Sequence, residues 1–203
     1  MKGKLVVVSG FSGVGKGTVM KRLIEEYDNY ALSVSATTRK PRPGEKEGVA
    51  YFFKTVEEFE ELIAKDELVE YAKYVDNYYG TPKAFVDKMR NEGKDVLLEI
   101  EIQGALKIKD KFPDAVLIFI TAPSAQVLRE RLVGRGTEDE ETVNKRLARA
   151  RQEAEGACKY DYVVVNDVLE ECVKTVDIII KSAHNRTEDN LAIVEEIRRD
   201  LSK

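Results

Sequence analysis

Apolar residues fall along this chain in two alternating patterns, short unbroken runs and runs spaced three or four apart. The unbroken runs are "KLVVVSG" (Lys4–Gly10), "DVLLEIEIQG" (Asp95–Gly104), "AVLIFITAP" (Ala115–Pro123) and "YDYVVVN" (Tyr160–Asn166). They are rich in Val, Leu and Ile, as are strands buried on both faces of a parallel sheet. Helical spacing appears between them. "KGTVMKRLIEEY" carries Val19, Leu23 and Ile24 on one side. "TVEEFEELIAKDE" (Thr55–Glu67) predicts a helix with Thr55 as cap and Glu58 completing a capping box. "TPKAFVDKMRNEG" predicts another, with Thr81 as cap, Pro82 at the first helical position and Gly93 as the stop. A helix is expected from Gly104 to about Phe112, and Ser124 caps "AQVLRERLVGRG". "EDEETVNKRLARARQEAEGA" predicts a long charged helix, and two more helices close the chain, the last capped by Thr187. "LVEYAKYVDNYYG" reads instead as two short strands around Asp76 and Asn77.

Strands alternating with helices predict an α/β fold, a parallel sheet with helices on both faces. Residues 34–82 break the rhythm with short strand signals, a Pro/Gly-rich turn and many tyrosines, so they read as a lobe inserted into the core. Residues 135–157 form a second, charged insert, leaving a core of residues 1–33, 83–134 and 158–203. A chain of 203 residues suits one such unit.

Charge narrows the possibilities. With a net charge of −4 the molecule does not suit coating nucleic acid or an anionic membrane, so an anion site must be a local cluster of Lys and Arg. No stretch approaches the ~20 apolar residues that span a bilayer. The N-terminal run lacks the apolar length and cleavage site of a signal peptide. A cytoplasmic protein is expected, with Cys158 and Cys172 as reduced thiols. His184 has no partner motif and stands near a helix start.

Four stretches carry candidate chemistry. "SGFSGVGKGT" stands between a strand and a helix, the context of a phosphate loop whose backbone N–H groups form an anion nest. Gly10, Gly15 and Lys16 fit the pattern, but Gly17 stands where a hydroxyl usually follows the lysine, and Thr18 comes one place late. In "SVSATTRKPRPGE", Arg39, Lys40 and Arg42 crowd a stiff turn, with Tyr51 a short distance on. Alone these charges read as a solvated basic turn. Beside a phosphate loop they read as a second phosphate site, since guanidinium forks bind phosphate bidentately. Two phosphate sites imply a donor and an acceptor. "LLEIEIQG" puts Glu99 and Glu101 on one face of an apolar strand, where either a cation or a ligand answers them or the strand end leaves that face in water; the apolar neighbours favour the first. "RERLVGRGTEDEETVNKRL" places Arg131, Arg135 and Arg146 around a Gly-flanked turn, a solvated helical face or a mobile lid.

Taken in order, "GFSGVGKGT", "SVSATTRKPRPGE…YFF", "EYAKYVDNYYGTP", "LLEIEIQGA", "RLVGRGTEDEE…NKRL" and "YDYVVVND" resemble guanylate kinases over about Leu5 to Lys181. The resemblance implies a P-loop NTPase three-layer fold, with residues 34–82 as a GMP-binding lobe and 135–157 as the lid. It implies an enzyme moving the γ-phosphate of ATP to GMP, with Mg²⁺, in purine metabolism, working as a monomer or homodimer. By resemblance, Gly10, Phe11, Ser12, Gly13, Val14, Gly15, Lys16, Gly17 and Thr18 hold ATP, with Arg131, Arg135 and Asn166 near its phosphates and adenine. Lys16, Arg39, Arg135 and Arg146 resemble the catalytic set. Arg39, Arg42 and Tyr51 resemble holders of the GMP phosphate, with Tyr79 and Gly80 close by. Ser35, Glu70, Thr81 and Glu101 resemble readers of guanine, whose adjacent N1–H and 2-amino donors suit a carboxylate. Many family members have aspartates at Glu99 and Glu101, and the "GKGT" ending is shared with adenylate kinases. Both departures place Mg²⁺ on phosphates and water, with Glu99 reached through water. Two alternatives remain: a guanylate-kinase-like protein-interaction module without catalysis, and a kinase of another small phosphorylated acceptor. Intact Lys16 weighs against the first, and Glu70 with Thr81 against the second.

Overall fold

The structure, a computed structural model, describes residues 2–74, 76–134 and 140–202. Its elements in chain order are β1 (Leu5–Gly10), α1 (Lys16–Glu26), β2 (Tyr30–Leu32), β3 (Ala36–Thr37), β4 (Phe52–Phe53), α2 (Val56–Ala64), β5 (Leu68–Tyr74), β6 (Asn77–Pro82), α3 (Lys83–Asn91), β7 (Asp95–Glu99), α4 (Ile102–Lys111), β8 (Val116–Thr121), α5 (Ala125–Val133), α6 (Glu140–Gly156), β9 (Tyr162–Val165), α7 (Leu169–Ala183) and α8 (Thr187–Asp200). They form two sheets: a five-stranded one ordered β2-β7-β1-β8-β9, and a four-stranded one ordered β4-β3-β6-β5.

Every pairing in the five-stranded sheet is parallel. Its inner strands are largely apolar because each residue parity meets a different helical layer. Val6, Val8, Leu97, Ile118 and Ile120 face α1, α5, α6 and α7; Leu5, Val7, Val96, Leu98, Leu117 and Phe119 face α3 and α4. These side chains are 0–1% exposed, so truncating one, as in Leu97→Ala, should cost about 2–5 kcal/mol. A one-residue slip would exchange the two faces, so the register is fixed on both sides. β1 lies between β7 and β8, and the chain reverses direction of travel around it. In such sheets ligands bind outside the carboxyl ends at that reversal.

The four-stranded sheet is built from residues 36–82 and buries only a small cluster, Ala36, Phe59 and Leu68. β5 and β6 form the hairpin expected around Asp76 and Asn77. Leu68 pairs with Pro82 and Tyr71 with Gly80, so Val69 and Glu70 together oppose Thr81. This is a β-bulge, a device that re-aims a side chain beside a site.

The Thr55–Glu58 capping box and the Ser124 cap form as expected. Four local expectations need correction. Asp95–Gly104 is not one strand: β7 ends at Glu99, and the apolar spacing Ile102, Ala105, Ile108 winds α4. Gly104 fits inside that helix because its position abuts Ile100, where an added Cβ would stand 2.5 Å from Cγ2. Thr81 does not cap α3; the ladder carries β6 through Pro82, which takes the N-cap position, and Thr81 is buried in the strand. Arg186, not Thr187, is the N-cap residue of α8, and no side chain caps it. His184 ends α7 and does have a partner: its Nε2 lies 2.8 Å from Oδ1 of buried Asp95. Cys158 is exposed and Cys172 buried, both free. Among the described residues no helix is long and apolar enough to cross a membrane.

The chain's ends meet at one charge pair. Lys4, 3% exposed, donates to Asp189 in the first turn of α8, a helix with no buried residue of its own.

Candidate active site

The loop after β1 is shaped by backbone rather than by side chains. Gly15 caps α1 in the left-handed region at φ 90°, and Gly10 passes so close to β8 that an added Cβ would stand 2.0 Å from the Ile120 carbonyl oxygen. The N-terminus of α1 therefore opens onto the loop with no side chain capping it, a ready anion site. Lys16 Nζ donates to the carbonyls of Gly10 and Phe11 at 3.0 and 3.1 Å. Phe11 packs edge-on against Phe119, Val14 is buried, and Thr18 is exposed on the first turn of α1. Gly17 faces Glu99: an added Cβ would stand 3.6 Å from Glu99 Oε2. A hydroxyl at position 17 would thus sit beside the carboxylate at the end of β7.

A cavity of about 700 Å³ opens in front of this loop. Gly10, Ser12, Lys16, Ser35, Tyr51, Glu99, Glu101 and Arg146 share its wall with Ser33, Arg149 and Glu153. A somewhat larger hollow, about 750 Å³, lies between α5 and α6 and includes Phe11, but it holds none of the charged candidates and its wall is mostly apolar. Converging lysine, arginine and carboxylates mark the first cavity as the site. Glu99 and Glu101 stand at its edge, both exposed. They do not share a strand face, because Glu101 is the N-cap of α4, and solvent access removes the burial cost expected of them.

Each remaining candidate has an identifiable place. Arg146 Nη1 donates to the Ser12 hydroxyl at 2.9 Å, joining α6 to the Gly-rich loop. Arg131 Nη1 donates to the Asn166 carbonyl at 2.7 Å. Asn166 is 7% exposed and its amide donates to the Val14 carbonyl at 2.7 Å, so it braces the loop from behind. Arg135 lies outside the described residues.

The four-stranded sheet holds the others. Arg39 stands over the Tyr51 ring, 5.3 Å from its centroid, and Tyr51 packs against Tyr79 at 6.1 Å. Glu45 Oε1 accepts from Arg39 Nη2 and Glu45 Oε2 from the Arg42 backbone, each at 2.8 Å. The Arg39 guanidinium holds the Glu45 carboxyl below the usual range. Gly80 and Thr81 are buried in β6. Thr81 Oγ1 donates to Glu70 Oε1 at 2.9 Å, across the bulge. Burial pushes the Glu70 carboxyl up, with the Thr81 bond pulling in the other direction. Glu70 is not on the wall of the 700 Å³ cavity; it lies behind the first turn of α4, where an added Cβ at Gly104 would stand 3.7 Å from its Oε2. Glu70 and Glu101 therefore flank the same helical turn.

Sequence reasoning missed Glu45, Arg149 and Glu153. Glu45 closes a Pro-Gly turn whose backbone bond runs from Glu45 N to Arg42 O, a spacing the sequence contained. Arg149 and Glu153 are an i,i+4 pair, also legible, but the ion pair of Arg149 with Glu101 joins segments far apart in the chain.

Among the described residues no three His, Cys, Asp or Glu cluster to hold a metal alone. Glu99, an exposed oxygen donor beside the loop, fits a hard cation that brings most of its ligands with it as phosphate and water.

A family model described as guanylate kinase matches residues 2–183. The guanylate kinase of Oceanobacillus iheyensis is 54% identical over 187 residues, 92% of this chain and 91% of that protein. The guanylate kinase of Caldanaerobacter subterraneus subsp. tengcongensis is 50% identical over 199 residues, 98% of this chain and 97% of that protein. The crystal structure of guanylate kinase from Anaplasma phagocytophilum superposes with a TM-score of 0.70 at 35% identity, covering 92% of this chain and 88% of that one. The P-loop NTPase fold, the Gly-rich anion loop and the extent of these matches agree, and the chain belongs to the guanylate kinase family.

Proposed function

We propose that this chain transfers the γ-phosphate of ATP to GMP, giving ADP and GDP. The observation that carries the reading is the shared cavity, whose lining includes Gly10, Ser12 and Lys16 together with Ser35, Tyr51 and Glu101. A donor site and an acceptor site on one wall suit direct transfer between two nucleotides.

The chemistry asks little covalent help. The nucleophile is a phosphate oxygen of GMP, largely dianionic at neutral pH, so no general base is needed. The new P–O bond forms as the bond to ADP breaks, and catalysis rests on positioning and charge stabilisation. Lys16 and the loop N–H groups hold the donor phosphates, Arg146 reaches the loop from α6, and Arg135 and Arg131 complete the lid's charge. Arg39, Arg42 and Tyr51 hold the acceptor phosphate. Glu70 accepts from the guanine N1–H and 2-amino group, with Ser35, Thr81 and Glu101 around the same base. In this assignment residues 34–82 are the GMP-binding lobe, 135–157 the lid, and the remaining segments the core. Glu99 would hold Mg²⁺ through water, and the ion would supply charge neutralisation for the phosphates. The protein acts in the cytoplasm, in purine nucleotide metabolism.

A coupled assay of ADP release over the common nucleoside monophosphates tests this. GMP is expected to turn over far faster than AMP, CMP or UMP. Equal turnover of AMP, or none with any of them, would refute the proposal.

A further inference from the structure

Helix α6 carries more than Arg146. Arg146, Arg149 and Glu153 are three and four positions apart, so their side chains lie along one stripe. Arg146 grips Ser12 in the Gly-rich loop. Arg149 is held twice: its Nε donates to Glu153 Oε1 at 3.1 Å, and its Nη2 to Glu101 Oε1 at 2.5 Å. Glu153 is 18% exposed, and its other oxygen is buried with no hydrogen-bond partner among the described residues. All three side chains, with Glu101, line the cavity that contains Lys16.

We infer that Arg149 is a positioning residue for base recognition, holding one oxygen of Glu101 so that the other is presented to the exocyclic amino group of guanine. The inference rests on the assignment of Glu101 to the base. Glu101 is 76% exposed, and an exposed glutamate samples several rotamers that it must give up to bind. A carboxylate accepts at two oxygens, so engaging Oε1 leaves Oε2 free to receive a second donor. The guanidinium is itself preset, because its planar fork spans Glu101 and the largely buried Glu153. The reach of glutamate matters, since an aspartate at 101 would end one methylene short of Arg149. Arg149 and Arg146 ride the same helix, so the element that orients the base reader also touches the donor loop.

The 2-amino group gives the test its probe, since inosine monophosphate lacks it. Steady-state kinetics at saturating ATP should compare GMP with inosine monophosphate for Arg149→Ala, Arg149→Met, Arg149→Lys and Glu101→Gln. Arg149 is half exposed, so its variants are expected to fold, and Arg149→Met keeps the packing stem. Arg149→Ala and Arg149→Met should raise the GMP KM about three- to fivefold, the scale of an exposed ion pair, with kcat and the KM for inosine monophosphate unchanged. Arg149→Lys should recover most of the loss. Glu101→Gln should move the GMP KM in the same direction, and adding Arg149→Ala to it should change little more. An unchanged KM ratio in the Arg149 variants, beside a reduced GMP preference in Glu101→Gln, would overturn the inference and leave the base assignment standing. An unchanged ratio in Glu101→Gln would overturn the base assignment and the inference with it. A fall in kcat for both acceptors in Arg149→Ala would place Arg149 on the phosphates and overturn the inference.

Discussion

The five-stranded sheet and the four-stranded sheet present their polar groups differently. In the first, the side chains of the inner strands β1 and β8 and of most of β7 are sealed between two helical layers, and the chemistry begins where the strands end: the loop after Gly10, Glu99 at the end of β7, Asn166 just past β9. In the second, the polar groups are inside the strands and turns themselves, and each is paired to stay in place: Glu70 with Thr81, Arg39 with Glu45. Strand ends can offer backbone N–H groups to an anion without disturbing the core. A thin sheet with a three-residue core has no such luxury, so it holds its reactive side chains by side-chain partners. The difference predicts a division of labour, in which the parallel sheet serves the transferring phosphoryl group and the antiparallel hairpin serves the acceptor.

Lys16→Met should strike the first region hardest, lowering kcat by ~10³-fold or more, since charge stabilisation carries phosphoryl transfer. GMP binding, measured by calorimetry, should persist. Loss of GMP binding in this variant would break the division. Glu70→Ala is the matching cut in the second region. It should reduce the preference for GMP over AMP by ~10²-fold or more while the KM for ATP holds, because a site built for hydrogen-bond donors discriminates strongly. Full retention of that preference would remove Glu70 from base reading.

Two arginines sharpen the contrast further. Arg42, beside a phosphate that is dianionic throughout, contributes uniform binding, and Arg42→Ala should raise the GMP KM about tenfold. Arg146, reaching the donor loop from α6, should act where charge shifts, so Arg146→Ala should lower kcat by ~10²-fold. A change confined to the GMP KM in Arg146→Ala would move Arg146 to the acceptor side.

The smallest effect concerns pH. Burial raises the Glu70 carboxyl above its unfolded value, about 4.3. Its contribution to stability is fully present below that unfolded value and is lost as pH rises through the raised folded one. Between those two values the native state loses stability as pH rises, so Glu70→Gln should raise the Tm at pH 7, with the gain fading toward pH 4. The acid limb of kcat/KM for GMP should likewise carry a contribution from Glu70 beside that of the GMP phosphate itself, and Glu70→Gln should leave only the phosphate's. A Tm lowered at pH 7 would mean that the carboxylate is stabilised in place.

How legible each region was follows from the same contrast. Doubly buried strands are unbroken apolar runs, so "KLVVVSG" and "AVLIFITAP" announced the parallel sheet, and the glycines between strand and helix announced the loop. The three residues of β2 gave too short a run to see. The strand assigned through Gly104 failed because Ile100 and Ile102 alternate with the glutamates, while the longer helical period through Ala105 and Ile108 decides the packing. In the hairpin the candidate residues were found by motif alone. The bulge that sets Glu70 against Thr81 is a register relation between two strands, which neither strand shows by itself. The same holds for Arg149, whose partner Glu101 is fixed only once α6 lies across the start of α4.

The charge pair between Lys4 and Asp189 has a consequence for the chain's ends. Helix α8 contributes nothing to either core, so by burial alone it is dispensable. Yet it works as a clasp: its first turn supplies the anion for an ammonium enclosed beneath the first strand, from 185 residues away in sequence. Removing the clasp would leave the buried clusters intact and strand one cation in the interior, a defect of up to about 3–5 kcal/mol where both partners are buried, and less here because Asp189 keeps some exposure. Damage at the last helix would be felt at β1, the strand that carries the phosphate loop.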